Sequence, residues 1–191
     1  MTHCVNAVNR PCAITILAFR ARRIFYAWTS IGVEHVDESA PRVRVIGIGN
    51  PDRGDDAAGR RVAALLRGTL PAKIAIVEHD GEATALLACL DGVEAAFLVD
   101  ACASGAPAGT VRRFDVTAAP LPQRIFPFST HGLGLAEAVE LARALGALPK
   151  HCIVYAVEGA SFAAGAPLSA PVRTAVATIA ERIRAEIAAN I

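Results

Sequence analysis

The stretch RVIGIGNPDRGDDAAG, residues 44–59, decides the fold of this chain. It opens with a short apolar run that is typical of a buried strand, and Gly47 and Gly49 then break the run into a tight turn. Two adjacent carboxylates, Asp55 and Asp56, follow, and an apolar helical pattern begins after them. A strand, a glycine turn and a helix that opens with acid form the first unit of an open α/β sheet. Such sheets bind ligands beyond the carboxyl ends of their strands.

The paired acids Asp55 and Asp56 have two interpretations. A carboxylate in the first turn of a helix stabilises it by about 0.3–1 kcal/mol through the unsatisfied N–H groups there, and one of the two acids fits that role. A nucleotide site is disfavoured, because the glycine spacing departs from G-x-G-x-x-G and two acids would repel a pyrophosphate. Carboxylates in a crevice suit a cation better.

Composition narrows the class of protein. The chain has 191 residues, which fits one domain with an extension, and a formal net charge of +1, which favours neither nucleic acid nor anionic membrane as a partner. The five cysteines are widely scattered and include no C-x-x-C pair. This pattern argues against a disulfide framework or a structural zinc site, and predicts a protein of the reducing cytoplasm.

Residues 1–41 differ from the rest of the sequence. The fairly apolar segment 14–33 is interrupted by three arginines, so it contains no uncharged run long enough for a membrane helix. An amphipathic surface helix remains an alternative for this segment. Because Met1 is the only methionine, a misplaced start is the alternative origin of this stretch. We therefore expect a poorly ordered or spurious extension over 1–41, without any part in the chemistry, and a single domain over 42–191.

Strand and helix patterns alternate through that domain. Each apolar run is followed by a turn and then by a helical period, which predicts an α/β fold with three layers, a mainly parallel twisted sheet of about five strands between helices. The strands after the first are predicted at Lys73–Glu78, Ala95–Val99, Thr110–Phe114 at an edge, and Cys152–Val157. The later helices are predicted at Thr84–Leu90, from Thr130 to Gly146, and after an N-cap at Ser169.

Three side chains converge at one edge of this predicted sheet. Asp56 follows the first strand, Asp100 ends the third, and His131 stands at the head of a later helix. Two carboxylates and an imidazole suit a borderline divalent metal such as nickel or zinc, and three protein ligands leave open positions. Taken singly, Asp100 could instead bond to nearby backbone N–H groups and His131 could lie beside a helix N-cap, while His79 is a candidate for the rim.

Three motifs carry a resemblance to a known family. Residues 47–50 (GIGN) with Asp55, Asp56 and Gly59 resemble the first motif of the maturation endopeptidases of nickel-iron hydrogenases. Residues 99–101 (VDA) resemble the second, and residues 129–135 (STHGLGL) resemble the third. The similarity extends from about Val43 to the C-terminus and leaves residues 1–41 unmatched.

The resemblance implies a specific activity and site. Relatives remove a C-terminal extension from the precursor of the hydrogenase large subunit after nickel has been inserted, so the metal belongs to the substrate and no cofactor is tightly bound. Carried onto this chain, the resemblance implies that Asp56, Asp100 and His131 recognise nickel, that Asp56 and Asp100 are catalytic, and that Asp55 is the less probable contact. The turn Asp80–Thr84 departs from the family pattern, and we expect the Glu82 region to line the substrate groove.

Other classes of protein stay open at this stage. One is a metal- or nucleotide-binding module without peptidase activity, and another is a general metal-dependent hydrolase with its own zinc. The general base is also open: either carboxylate could serve, and the nearest thiol, Cys102, shows no sequence sign of activation.

Overall fold

The computed structural model describes residues 43–122 and 134–190, which form a five-stranded sheet with helices on both faces. The strands are β1 Val43–Ile48, β2 Ile74–His79, β3 Ala95–Cys102, β4 Val111–Asp115 and β5 His151–Glu158. The helices are α1 Ala58–Leu66, α2 Ala83–Leu90, α3 Leu135–Ala144 and α4 Ala170–Asn190, with a 3-10 helix at Gly54–Ala57 leading into α1. The predicted extension over 1–41 lies outside the described residues.

The sheet confirms the predicted α/β architecture. Its strand order is β2-β1-β3-β5-β4, in which the first four strands are parallel and β4 is antiparallel to β5. β4 lies at an edge, as its polar face predicts. Residues 103–110, which connect β3 to β4, contain no helix. Because a parallel neighbour would need a long crossover connection, this short loop leads into a strand that runs antiparallel to the others.

Two apolar cores fill the spaces between the sheet and its helices. Helices α1 and α4 pack on one face and α2 and α3 on the other, so alternate residues of the central strands enter different cores. Central strands covered on both faces are apolar throughout, which explains the uninterrupted runs in β3 and β5. The first core includes Val45, Phe97, Tyr155 and Ile179, and the second includes Ile46, Leu98, Val154 and Val139.

Helix α4 confirms the prediction made from its apolar spacing. Val172, Val176, Ile179 and Ile183 are all buried on one face. Ser169 directly precedes the helix, and its carbonyl accepts a hydrogen bond of 3.0 Å from the Arg173 N–H. Within residues 43–122 and 134–190, neither α4 nor any shorter helix has the length and apolar character needed to cross a bilayer.

The largest changes to the predicted boundaries are at the end of β3 and at the start of α3. β3 does not end before Asp100 but continues to Cys102, because β5 pairs with it as far as Glu158 opposite Cys102. Asp100 therefore lies within a strand and has a fixed backbone. Helix α3 begins at Leu135, and the first part of the helix predicted from Thr130 falls in the segment 123–133, outside the described residues.

Candidate active site

The turn after β1 brings Asp56 back onto the end of its own strand. The Asn50 N–H donates a hydrogen bond of 3.1 Å to Oδ2 of Asp56. The Gly49 N–H donates one of 3.0 Å to the His79 carbonyl, which fixes the turn to the end of β2. Asp56 is therefore held at the carboxyl edge of the parallel strands, where open α/β sheets place their ligands.

Two glycines make this close approach possible. Gly49 has a φ of 128°, and a Cβ added there would lie 1.8 Å from the Asp56 carbonyl oxygen. A Cβ on Gly59, in the first turn of α1, would lie 2.2 Å from the Val99 carbonyl oxygen and 2.3 Å from that of Ile48. Only glycine allows the acidic turn and the start of α1 to pack directly on the ends of β1 and β3.

Asp100 is the second carboxylate at this edge. Its Oδ1 accepts a hydrogen bond of 2.8 Å from the Ala101 N–H, and its side chain is only partly exposed. Burial, followed by the negative charge of Asp56, raises the pKa of Asp100 to about 7. The two carboxylates therefore lie close enough to repel each other, as adjacent acids of one site do.

The pair has the chemistry of an incomplete cation site. Oδ1 of Asp56 and Oδ2 of Asp100 accept no hydrogen bond from the described residues, so one oxygen of each remains for a ligand. Oxygen donors of this kind hold divalent ions, and a bound cation would relieve the repulsion between the two charges. Within the described residues no three histidine, cysteine, aspartate or glutamate side chains are arranged to hold a metal. His131, the predicted third member, lies outside those residues.

Asp55 has a different environment from its neighbour. Its side chain is fully buried, and its carboxylate accepts backbone N–H groups from the loop after β5: Ala160 at 2.7 Å, Ser161 at 3.1 Å and Ser169 at 2.7 Å. Burial alone would raise the pKa of Asp55, but these hydrogen bonds outweigh it and hold the pKa below the usual value. The carboxylate of Asp55 is thus occupied by protein donors.

Cys102 is not an activated nucleophile. Burial raises the pKa of its thiol to about 12, and a hydrogen bond of 3.3 Å to Oε2 of Glu158 acts in the same direction. Glu158 is itself buried and also accepts hydrogen bonds from the Ser104 hydroxyl at 2.7 Å and the Gly105 N–H at 2.8 Å. Since the thiolate is the nucleophilic form, the geometry disfavours a cysteine protease mechanism here.

The other residues that the sequence singled out have structural contacts. His79 is buried, and its Nδ1 accepts a hydrogen bond of 2.9 Å from the Gly81 N–H. The carboxylate of Glu82 caps α2, because it accepts the N–H groups of Thr84 at 3.0 Å and Ala85 at 2.8 Å. The hydrogen bonds of Glu82 are therefore made within its own turn.

Sequence reasoning missed the buried carboxylate of Glu158 and the partners of the buried carboxylate of Asp55. The long-range partners of Asp55 carry no local signal, because they lie more than one hundred residues away. Glu158 could have been found, since it ends an apolar strand, which is the kind of position that drew attention to Asp100.

Comparisons with known proteins agree with this fold. A family model described as hydrogenase maturation protease matches residues 61–186. Among solved structures, the hydrogenase maturating endopeptidase HybD from E. coli is 25% identical, with 76% of this chain and 91% of that chain covered and a TM-score of 0.63. The NiFe hydrogenase maturation protease HycI from Thermococcus kodakarensis KOD1 has the same fold (24% identity, 78% and 93% covered, TM-score 0.58).

A solution structure of an endopeptidase from Escherichia coli also shares the fold, with 24% identity, 74% of this chain and 89% of that chain covered, and a TM-score of 0.67. No match is found among curated proteins. Since the family model covers more than half of the chain and the fold agrees, this protein belongs to the hydrogenase maturation protease family and is a peptidase.

Proposed function

We propose that this peptidase removes the C-terminal extension of a nickel-iron hydrogenase large-subunit precursor after recognising the nickel inserted in it. The observation that carries the proposal is the juxtaposition of Asp56 and Asp100 at the carboxyl edge of the sheet, where each keeps one oxygen that accepts no hydrogen bond from the described residues. Nickel arrives with the substrate, and the protein acts in the cytoplasm on the precursor, without a resident cofactor.

His131 completes the proposed set of nickel ligands. It precedes Gly134, the first described residue before α3, by three residues, and three residues reach at most ~11 Å. The Arg143 guanidinium, near the end of α3, donates to the Val116 carbonyl, and the Val116 N–H donates to the Cys152 carbonyl at the start of β5. The C-terminal end of helix α3 therefore lies near the amino edge of the sheet. This supports a position for the N-terminal end of α3 toward the opposite, carboxyl edge, which holds Asp56.

The three side chains would make cleavage conditional on metal loading. By completing the coordination of the precursor's nickel, they would fix the scissile peptide beside the two carboxylates, and positioning of this kind supplies much of the rate in many enzymes. The metal would then polarise the scissile carbonyl or activate a water, with Asp56 and Asp100 as the candidate proton acceptors.

A processing assay tests this proposal. Purified protein is mixed with nickel-loaded or nickel-free large-subunit precursor, and removal of the extension is followed as a shift in electrophoretic mobility. We expect a shift only with the nickel-loaded precursor. No shift, or equal shifts with both precursors, would refute the nickel dependence.

Alanine variants test the residue assignments. Processing should be abolished by each of the variants Asp56→Ala, Asp100→Ala and His131→Ala. The circular dichroism spectrum of each variant should remain that of the folded wild type. Asp52→Ala is the matched control, because Asp52 lies on the same turn, is exposed, and its carboxylate bonds to no described residue. Normal processing by all three variants would contradict the assignment, and stoichiometric zinc in the purified protein would favour an independent metal hydrolase instead.

A further inference from the structure

Asp55 joins the acidic turn to a distant part of the chain. The segment Gly159–Ser169, here called the 159–169 loop, connects β5 to α4, and both of its ends donate to Asp55. Oδ2 accepts the Ala160 and Ser161 N–H groups, and Oδ1 accepts the Ser169 N–H. One side chain thereby bridges the two ends of the loop and fixes both of them to the turn.

The same two segments are joined by backbone contacts. The Asp55 N–H donates to the Ser161 carbonyl at 2.8 Å, and the Gly165 N–H donates to the Asp52 carbonyl at 2.7 Å. Gly54 packs so closely that an added Cβ would lie 2.5 Å from the Ser161 carbonyl oxygen. The acidic turn is therefore docked along the loop, with the buried Asp55 carboxylate at the centre of the contact.

We propose that Asp55 is a positioning residue that sets the location of Asp56 relative to Asp100. This inference rests on the proposed function, in which Asp56 contacts the nickel of the substrate. Asp56 is adjacent to Asp55 within the 3-10 helix Gly54–Ala57, so a shift of the Asp55 backbone moves Asp56 with it. Asp55 itself touches no substrate, because its oxygens are occupied by the N–H groups of the loop.

The mechanism requires a carboxylate at position 55. All three partners of the side chain are N–H donors, and only a group that accepts at both oxygens can satisfy them. In Asp55→Asn the amide NH₂ faces at least one N–H donor, so the hydrogen bond at that position is lost, while the size of the side chain is unchanged. A misplacement of about 1 Å at a catalytic group can reduce the rate by about 100-fold.

The first measurement separates positioning from overall stability. For Asp55→Asn, assayed well below its melting temperature, we expect kcat for processing of nickel-loaded precursor to fall about 10- to 100-fold, with KM changed by less than about threefold. Asp52→Asn should behave as wild type. Wild-type kcat in Asp55→Asn would overturn the proposal, whereas absence of processing by the wild type would refute the proposed function instead.

The second measurement needs no substrate. The Asn50 N–H donates to Asp56, so its amide resonance in a nitrogen-15 correlation spectrum reports where the Asp56 carboxylate lies. Asp56→Ala provides the reference for loss of this hydrogen bond. In Asp55→Asn we expect the Asn50 amide to move toward that reference, and an unchanged Asn50 resonance would overturn the proposal even if activity changed.

A second variant covers the case in which Asp55→Asn does not fold. Ser169→Pro removes one of the three donors from the loop side, and Ser169→Ala is its matched control because it keeps the N–H. The proposal expects Ser169→Pro to lower kcat and shift the Asn50 amide, whereas Ser169→Ala does neither. Identical behaviour of the two Ser169 variants would count against it.

Discussion

Two turns at the carboxyl edge of the sheet look alike in sequence but have different roles. The β1–α1 turn, residues 49–57, and the β2–α2 turn, residues 80–82, each follow a parallel strand, contain a glycine with positive φ and carry two or more acids. In the second turn the Glu82 carboxylate bonds to residues two and three positions away. In the first, Asp55 bonds to residues 105–114 positions away.

This difference shows how one local pattern serves two purposes. Local hydrogen bonds at Glu82 cap the start of a helix, and the whole arrangement is contained in one short stretch of chain. Long-range hydrogen bonds at Asp55 fix one segment against another, and the neighbouring Asp56 carboxylate stays at the carboxyl edge of the sheet. The acid that bonds locally is a cap, and the acid that bonds at a distance joins two segments beside the proposed site.

The glycines of the two turns give the largest expected contrast. Gly49→Ala and Gly81→Ala both place a side chain at positive φ, which costs about 1–3 kcal/mol. Among the residues that the structure describes, the Cβ added at Gly81 meets only the Ile48 Cγ2 atom, at 3.3 Å, whereas at Gly49 it lies 1.8 Å from the Asp56 carbonyl oxygen. Overpacking should add about another 1–3 kcal/mol at Gly49 and displace Asp56.

Urea unfolding and the processing assay check this contrast. Gly49→Ala should be the less stable variant and should not process precursor, whereas Gly81→Ala should retain processing. Equal stability and equal activity of the two variants would mean that the close packing of Gly49 on Asp56 has no consequence.

Removal of the carboxylates gives an intermediate effect. Asp55→Ala leaves three backbone N–H groups without their acceptor in a buried place, at a cost on the order of 3 kcal/mol. Glu82→Ala removes a more exposed cap, and the N–H groups that it leaves can donate to water instead. The melting temperature of this variant should therefore fall by only a few degrees. Thermal unfolding of the two variants and of the wild type measures both effects. A larger decrease in melting temperature for Glu82→Ala than for Asp55→Ala would contradict the expected order.

The smallest effect is a pH dependence of the Glu82 cap. The Thr84 hydroxyl and the N–H groups of Thr84 and Ala85 lower the pKa of Glu82 from 4.5 to about 2. Because the folded-state pKa lies below the unfolded value, the stabilisation is complete above about pH 4.5 and is lost as the pH falls toward 2.

Melting temperatures measured over this acid range test the pH dependence. The difference between wild type and Glu82→Ala should be constant near neutral pH and should narrow as the pH falls from 4.5 toward 2. A difference that stays the same throughout would show that the charged carboxylate is not the capping form.

Sequence reasoning reached the architecture because its signals are local. Apolar runs such as those of β1, β3 and β5 predict covered parallel strands, and Val172, Val176 and Ile179 mark the buried face of α4 at helical spacing. The end of β3 was placed too early, because its last residues are held by pairing with β5, which lies some fifty residues further along the chain. His79, a candidate for the rim, has a buried ring whose Nδ1 accepts a hydrogen bond from the Gly81 N–H of its own turn.

The sequence by itself determined the alternating α/β pattern, the acids at the end of β1 and the family motifs that contain Asp56 and Asp100. Only the tertiary structure decided that Asp55 bonds to the 159–169 loop, and that burial together with the Glu158 carboxylate keeps the Cys102 thiol protonated by raising its pKa. The physical reason is the difference in sequence separation between the residues that interact. Periodicity and turn chemistry act over a few residues, whereas the environment of a buried carboxylate depends on donors that folding brings from more than one hundred residues away.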